Sequence, residues 1–110
     1  MQNHYQTKQF FLTGYQLNGL CRRKNIDTLV YAGFMADICL LDVPGALREM
    51  ANKFRYHCVA LRDCTTAYEY KETCEGNWMT FAAIRRVEQD MGYSASASDF
   101  VRACNEAKGS

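Results

Sequence analysis

Six cysteines, at positions 21, 39, 58, 64, 74 and 104, carry most of the reactive chemistry of this 110-residue chain. No two form a C-x-x-C pair, and His4 and His57 have no ligand partner at zinc spacing, so no metal site is expected. Six in 110 also falls below the ~8–10% that marks a disulfide scaffold, and the chain opens on no secretion signal. The thiols are therefore expected reduced, as in a cytoplasmic protein. Cys39 stands apart by position. The segment Gly33-Phe34-Met35-Ala36-Asp37-Ile38-Cys39 follows the strongest strand pattern and opens a helical one. A cysteine in the first turn of a helix meets unpaired N–H groups and the positive end of the helix dipole, which both favour the thiolate. The same N–H groups suit the oxyanion formed when a thiolate attacks a carbonyl. The competing reading is a small buried hydrophobe. What favours chemistry is the place, since ligands of open parallel sheets collect beyond the carboxyl ends of the strands.

The elements that must position Cys39 follow from patterning. Residues 13–24 read as a helix on Leu17, Leu20 and Cys21, closed by Arg22, Arg23 and Lys24 at the negative helix end. Residues 27–34 form a near-continuous apolar run, as a strand buried on both faces does. Residues 37–53 place Leu40, Val43, Leu47, Met50 and Phe54 at three- and four-residue steps, with Pro44 set to kink or restart the helix. A second strand is expected at 56–61, a polar loop at 65–76, and a helix at 78–91 with Phe81, Ile84, Val87 and Met91 on one face. Gly92 closes that helix. A third strand at 93–95 and a last helix opened by Ser96 and Asp99 complete the chain. Alternating strands and helices predict an α/β architecture with a parallel sheet, three-layered and Rossmann-like. Three strands are few against a usual five or six. The apolar strand around Val30 should therefore need a partner at its edge.

Thirteen basic against twelve acidic residues give a net charge of +1, which argues against a nucleic-acid partner held by counterion release. No apolar run approaches the ~20 residues of a membrane span, so no membrane partner is expected. There is no G-x-G-x-x-G and no phosphate loop, hence no expected cofactor. An apolar fraction of 48% supports one packed domain over 1–110. Among other candidates, Asp37 reads as a helix cap, Asp63 as a turn residue, His57 as a core or edge histidine, and Trp78 as core. Glu69, Lys71 and Glu72 read as a solvated loop at the rim of the site.

The run Gly33-Phe34-Met35-Ala36-Asp37-Ile38-Cys39-Leu40 resembles the nucleophile turn of the isochorismatase-like cysteine hydrolases. The flanks are similar in order: Asn25 to Tyr31 before it, Arg62-Asp63-Cys64-Thr65-Thr66-Ala67 after the next strand, then Glu88, Met91-Gly92-Tyr93 and Asp99 to Ala103. The match spans about residues 13–107 and covers the C-terminal half of that family's domain, so the chain reads as a single partial domain. The resemblance implies Cys39 as nucleophile toward an amide or related C–N bond of a small-molecule substrate. It also implies an oxyanion hole from the N–H groups of Met35 and Cys39, and a cis peptide between Phe34 and Met35. Met35 departs from the smaller residue usual there. The family's general-base Asp and its Lys sit on strands that precede this segment. Lys8 lies roughly where the lysine strand would end, though closer to Thr13 than the usual spacing. The implied partner is a completing N-terminal segment or a homo-oligomer. The alternative reading is a catalytically inactive truncated homologue that serves as an assembly module.

Overall fold

The computed structural model describes residues 13–109, so Lys8 lies outside the described residues. Thr13 begins helix α1 (Gly14–Arg23) through a capping box. Its hydroxyl accepts from the Gln16 amide, and the Gln16 side chain accepts from the Thr13 amide at 2.9 Å. Strands β1 (Thr28–Gly33), β2 (His57–Thr65) and β3 (Tyr93–Ala95) form a parallel sheet in the order β1-β2-β3. Helices α2 (Cys39–Asp42), α3 (Trp78–Asp90) and α4 (Ala97–Gly109) follow the three strands in turn. The expected α/β class and parallel sheet are what the chain adopts.

The helix expected over 37–53 is in two pieces. Helix α2 stops after one turn, because Val43-Pro44-Gly45-Ala46 forms a tight turn with Ala46 N bonded to Val43 O at 2.9 Å. Gly45 sits at φ +79, which glycine adopts without steric cost. The chain becomes helical again and ends in a π-helical turn, Glu49–Lys53. Two bonds hold the tight turn: the Tyr31 hydroxyl donates to Gly45 O, and Gly45 N donates to the Glu49 carboxylate, both at 2.9 Å. Burial pushes the Tyr31 hydroxyl pKa up.

One core gathers residues from α1, α2, the helical stretch after it, β2 and α3. Cys21 of α1, Leu41, Leu47 and Met50, Cys58 and Ala60 of β2, and Ile84 and Val87 of α3 pack together. Leu47, Met50, Cys58 and Ala60 have no exposed surface. Gly92 has a steric reason beyond ending a helix: a Cβ there would strike the Cys58 carbonyl oxygen.

Three expectations about burial need correction. Strand β1 alternates exposed and half-buried residues, with Val30 40% exposed, because only the face that carries Leu29 and Tyr31 packs against the core. Trp78 and Phe81 are 69% and 67% exposed, so neither belongs to the core. Both stand on the outer side of α3, whose core side is Thr80, Ala83, Ile84 and Val87.

Truncating Leu47 to Ala should cost about 2–5 kcal/mol, the range for fully buried leucines. The half-exposed Val30→Ala should cost well under that, and urea unfolding midpoints compare the two. Equal losses would mean that the Val30 face is covered in solution.

Candidate active site

The turn after β1 is folded around the carbonyl of Met35. Ile38 N and Leu40 N both donate to Met35 O, at 3.1 and 3.0 Å, while Ala36 N donates to Thr66 O at 2.9 Å. A second bond, Thr66 N to Gly33 O at 3.1 Å, ties the end of β1 to the end of β2. Ala36 is 1% exposed and packs with Ala67 and Ala83 against Met79. A small residue is needed there because the turn lies directly on α3. The peptide bond between Phe34 and Met35 is cis. Among the described residues, the N–H groups of Phe34, Met35, Asp37 and Cys39 donate to no hydrogen bond.

Cys39 is exposed, and none of the six cysteines is in a disulfide. Helix α2 contributes one turn of dipole rather than the long helix expected. That leaves the local N–H groups as the larger influence on Cys39, since dipole effects depend on those unsatisfied groups. Asp37 does not cap α2: Ile38 is the N-cap residue and no side chain caps that end. One Asp37 carboxylate oxygen is instead buried without a hydrogen-bond partner.

Beside the turn lies a groove of about 610 Å³, lined among others by Phe34, Cys64, Thr65, Asn77 and Phe81. Its floor includes Thr65, a 7% exposed residue whose hydroxyl is buried without a partner. Sequence reasoning gave Thr65 no site role: it stood only within the 62–67 segment of the resemblance and was read as loop, whereas β2 runs on to Thr65. Asp63 serves as a remote cap, its carboxylate accepting from Ala97 N at 2.8 Å at the start of α4. Arg62 donates to Ser94, which in turn donates to Glu88. His57 is exposed at the opposite, amino end of β2, far along the strand from Thr65.

Glu69 is not a solvated rim residue. Asn77, the N-cap residue of α3, is left-handed at φ 53 and makes no side-chain cap. Glu69 caps the helix in its place. The Glu69 carboxylate accepts from Met79 N, Thr80 N and the Thr80 hydroxyl at 3.0, 2.7 and 2.6 Å. Thr80 in turn accepts from Ala67 N at 3.0 Å. Burial pushes the Glu69 pKa up, but hydrogen bonds from Thr80, Thr73 and Met79 outweigh it and bring it down to about 2. Among the described residues, no group of three or more His, Cys, Asp or Glu residues is placed to hold a metal ion. No helix there is long and apolar enough to cross a membrane.

The fold is therefore a three-stranded parallel α/β arrangement, with a cysteine-bearing turn at the carboxyl end of its first described strand. Among solved structures the chain is similar to a cysteine hydrolase from Pseudomonas syringae pv. phaseolicola 1448A. The TM-score is 0.70 at 18% identity, over 90% of this chain and 48% of that one. The chain thus spans about half the length of that hydrolase. The sequence matches no protein-family model and no curated relative.

The Glu69 clamp predicts a pH signature. Its folded pKa lies below the ordinary ~4.3 of a glutamate, so its stabilisation is complete above that value and is lost as pH falls toward about 2. Glu69→Gln should be less stable than the parent near neutrality, and the gap should close on acidification. Thermal unfolding from about pH 6 down to about pH 2 measures it. A gap of constant size across that range would show that the charge plays no part.

Proposed function

We propose that this chain carries the nucleophile of a cysteine hydrolase acting on an amide or related C–N bond of a small molecule. The observation that carries the reading is the turn 34–40. It presents an exposed thiol beyond the carboxyl end of a parallel strand, next to N–H groups with no other partner. The likeness to half of a cysteine hydrolase supports it.

In this mechanism the Cys39 sulfur bonds to the carbonyl carbon and the carbonyl oxygen becomes an oxyanion. The N–H groups of Met35 and Cys39 donate to it. The C–N bond then breaks, the amine leaves with a proton from the general acid, and water cleaves the thioester to restore the thiol. Both transfers need a proton acceptor and donor beside Cys39. Among the described residues, no carboxylate or amine is bonded to its thiol. A segment that adds strands at the open edge of β1 supplies that group, and proton transfer of this kind is worth ~10²–10⁴ in rate. Lys8, outside the described residues, is a further candidate for the site's lysine.

A second reading rests on the same open edge: the chain is an inactive assembly module, and β1 serves pairing alone. Thiol reactivity separates the two. Under the hydrolase reading Cys39 reacts with iodoacetamide faster than the similarly exposed Cys64, Cys74 and Cys104. Buried Cys58, whose thiol burial pushes up to about 11, reacts slowest. Cys39→Ala should change stability by less than about 0.5 kcal/mol, as at other exposed sites, and abolish any amide hydrolysis. Site-resolved mass spectrometry reads the rates. Cys39 reacting no faster than Cys104 would sink the hydrolase reading.

A further inference from the structure

Helix α3 is apolar on two sides. Thr80, Ala83, Ile84 and Val87 face the core. At 100° per residue, Trp78, Ala82 and Arg85 stand on the opposite side of the helix, with Phe81 on its flank. All four are exposed, and with Gly76 they line one shallow groove of about 500 Å³. A helix facing water is polar on that side. This face is also distinct from the edge where a completing segment would add. Helix α3 packs on β2 and β3, whereas the edge strand that leads into the cysteine-bearing turn is β1, at the other end of the sheet.

We infer that this face binds a second copy of the same chain. The two α3 helices lie antiparallel about a two-fold axis near residues 81 and 82. Self-complementarity is what points to a copy of this chain. The positions 78, 81, 82 and 85 are symmetric about their midpoint, so an antiparallel pair sets Trp78 against the partner's Arg85 and Phe81 against the partner's Ala82. A two-fold interface requires this reciprocity. Their i, i+3, i+4, i+7 spacing is that of a helix-packing seam, and the small Ala82 side chain leaves a hole for the Phe81 ring. The charge fits as well. Among the described residues Arg85 has no ion-pair or hydrogen-bond partner, and the indole face is the best aromatic acceptor of a guanidinium. Glu88, the nearby carboxylate that would compete for Arg85, is held by Ser94 at 2.6 Å.

Area sets the strength. Trp78 and Phe81 are about two-thirds exposed, and a fully buried aromatic contributes ~150–250 Å². The two rings then supply roughly 200–340 Å² per copy. Adding Ala82, the Arg85 stem and the Gly76 rim leaves the contact at or below the ~1,200 Å² total of weak, transient interfaces. The dimer therefore belongs to the weak, transient class, and its population depends on concentration. This surface is independent of any role of Cys39.

Trp78 is the single tryptophan of the chain, so its emission reads the interface directly. Between about 1 and 200 μM, sedimentation velocity of the full chain should move from monomer toward dimer. Trp78 emission should shift to the blue in step. Ala82→Glu should stay monomeric with unshifted emission throughout. Its carboxylate lies four residues before Arg86, a pairing that supports the helix, and circular dichroism checks that the fold is kept. Arg85→Glu should weaken association at least tenfold, with Arg85→Lys between it and the parent. Val30→Lys, on β1, should dimerise as the parent does. The proposal is overturned by a monomer at every concentration or by a dimer that survives Ala82→Glu. A dimer lost in Val30→Lys, with Trp78 emission independent of concentration, also overturns it, because the copies would then pair through β1.

Discussion

Strand β2 is the member on which the rest of the molecule hangs, because among the described residues it alone has a strand on each side. Its inward residues are small: Cys58 and Ala60, both without exposed surface. Small side chains at the sheet centre let helical residues from both crossovers, Met50 and Val87 among them, close over one strand. They also let the backbone of Gly92 come close to the Cys58 carbonyl, where no other residue fits. The three described strands build their main dry centre in this way. On β1 only the face of Leu29 and Tyr31 packs against it, so the strand alternates exposed with half-buried residues.

The candidate site depends on the same strand at its other end. Beyond Tyr31 and Ala60 the two strands lose register, and they meet again at Gly33 and Thr65. That irregularity lets residues 61–64 part from β1 and frees the carboxyl end of β2 to receive the turn, through Ala36 N to Thr66 O. The turn is then pinned from three directions: by β2, by the alanine packing against α3, and by the two amides on the Met35 carbonyl. Glu69 and Thr80 fix the start of α3 on which those alanines lie. A thiol on such a turn is exposed without being loosely held, which a positioned nucleophile requires.

How much of this was legible in the sequence varies with the physics of each element. Local signals held: the helix read over 13–24, the Tyr93–Ala95 strand and the start of α4 each rest on a few nearby residues. The apolar period across 37–53 continued straight through a break, because both pieces face the same core. Pro44 marked the break that periodicity hid. The run around Val30 could not show whether its second face is covered, since an apolar strand looks alike whether its own chain or another chain covers it. Trp78 and Phe81 read as core for a related reason: with apolar residues on two sides of α3, the period loses its phase. The Glu69 cap was invisible, because it replaces an unused local cap from ten and eleven residues away. Cys39 was legible as a position. What surrounds it was not, since the burial of an Asp37 oxygen and the Thr65 hydroxyl depends on the meeting of two strand ends.

The two unpartnered surfaces ask for different chemistry, and the difference separates completion from association. The open edge of β1 offers a row of backbone donors and acceptors, directional and indifferent to side-chain identity, and suited to another strand. The outer face of α3 offers rings, one small residue and a cation, which suit a helix bearing the complementary set and give a strand nothing to bond. A strand added at β1 lies next to the turn that carries Cys39 and brings groups to it. A helix packed on α3 reaches the candidate site only through Phe81, which lines both the outer groove and the one floored by Thr65. The first contact bears on whether the thiol has a proton acceptor. The second bears on how open the groove beside Phe34 of that turn remains.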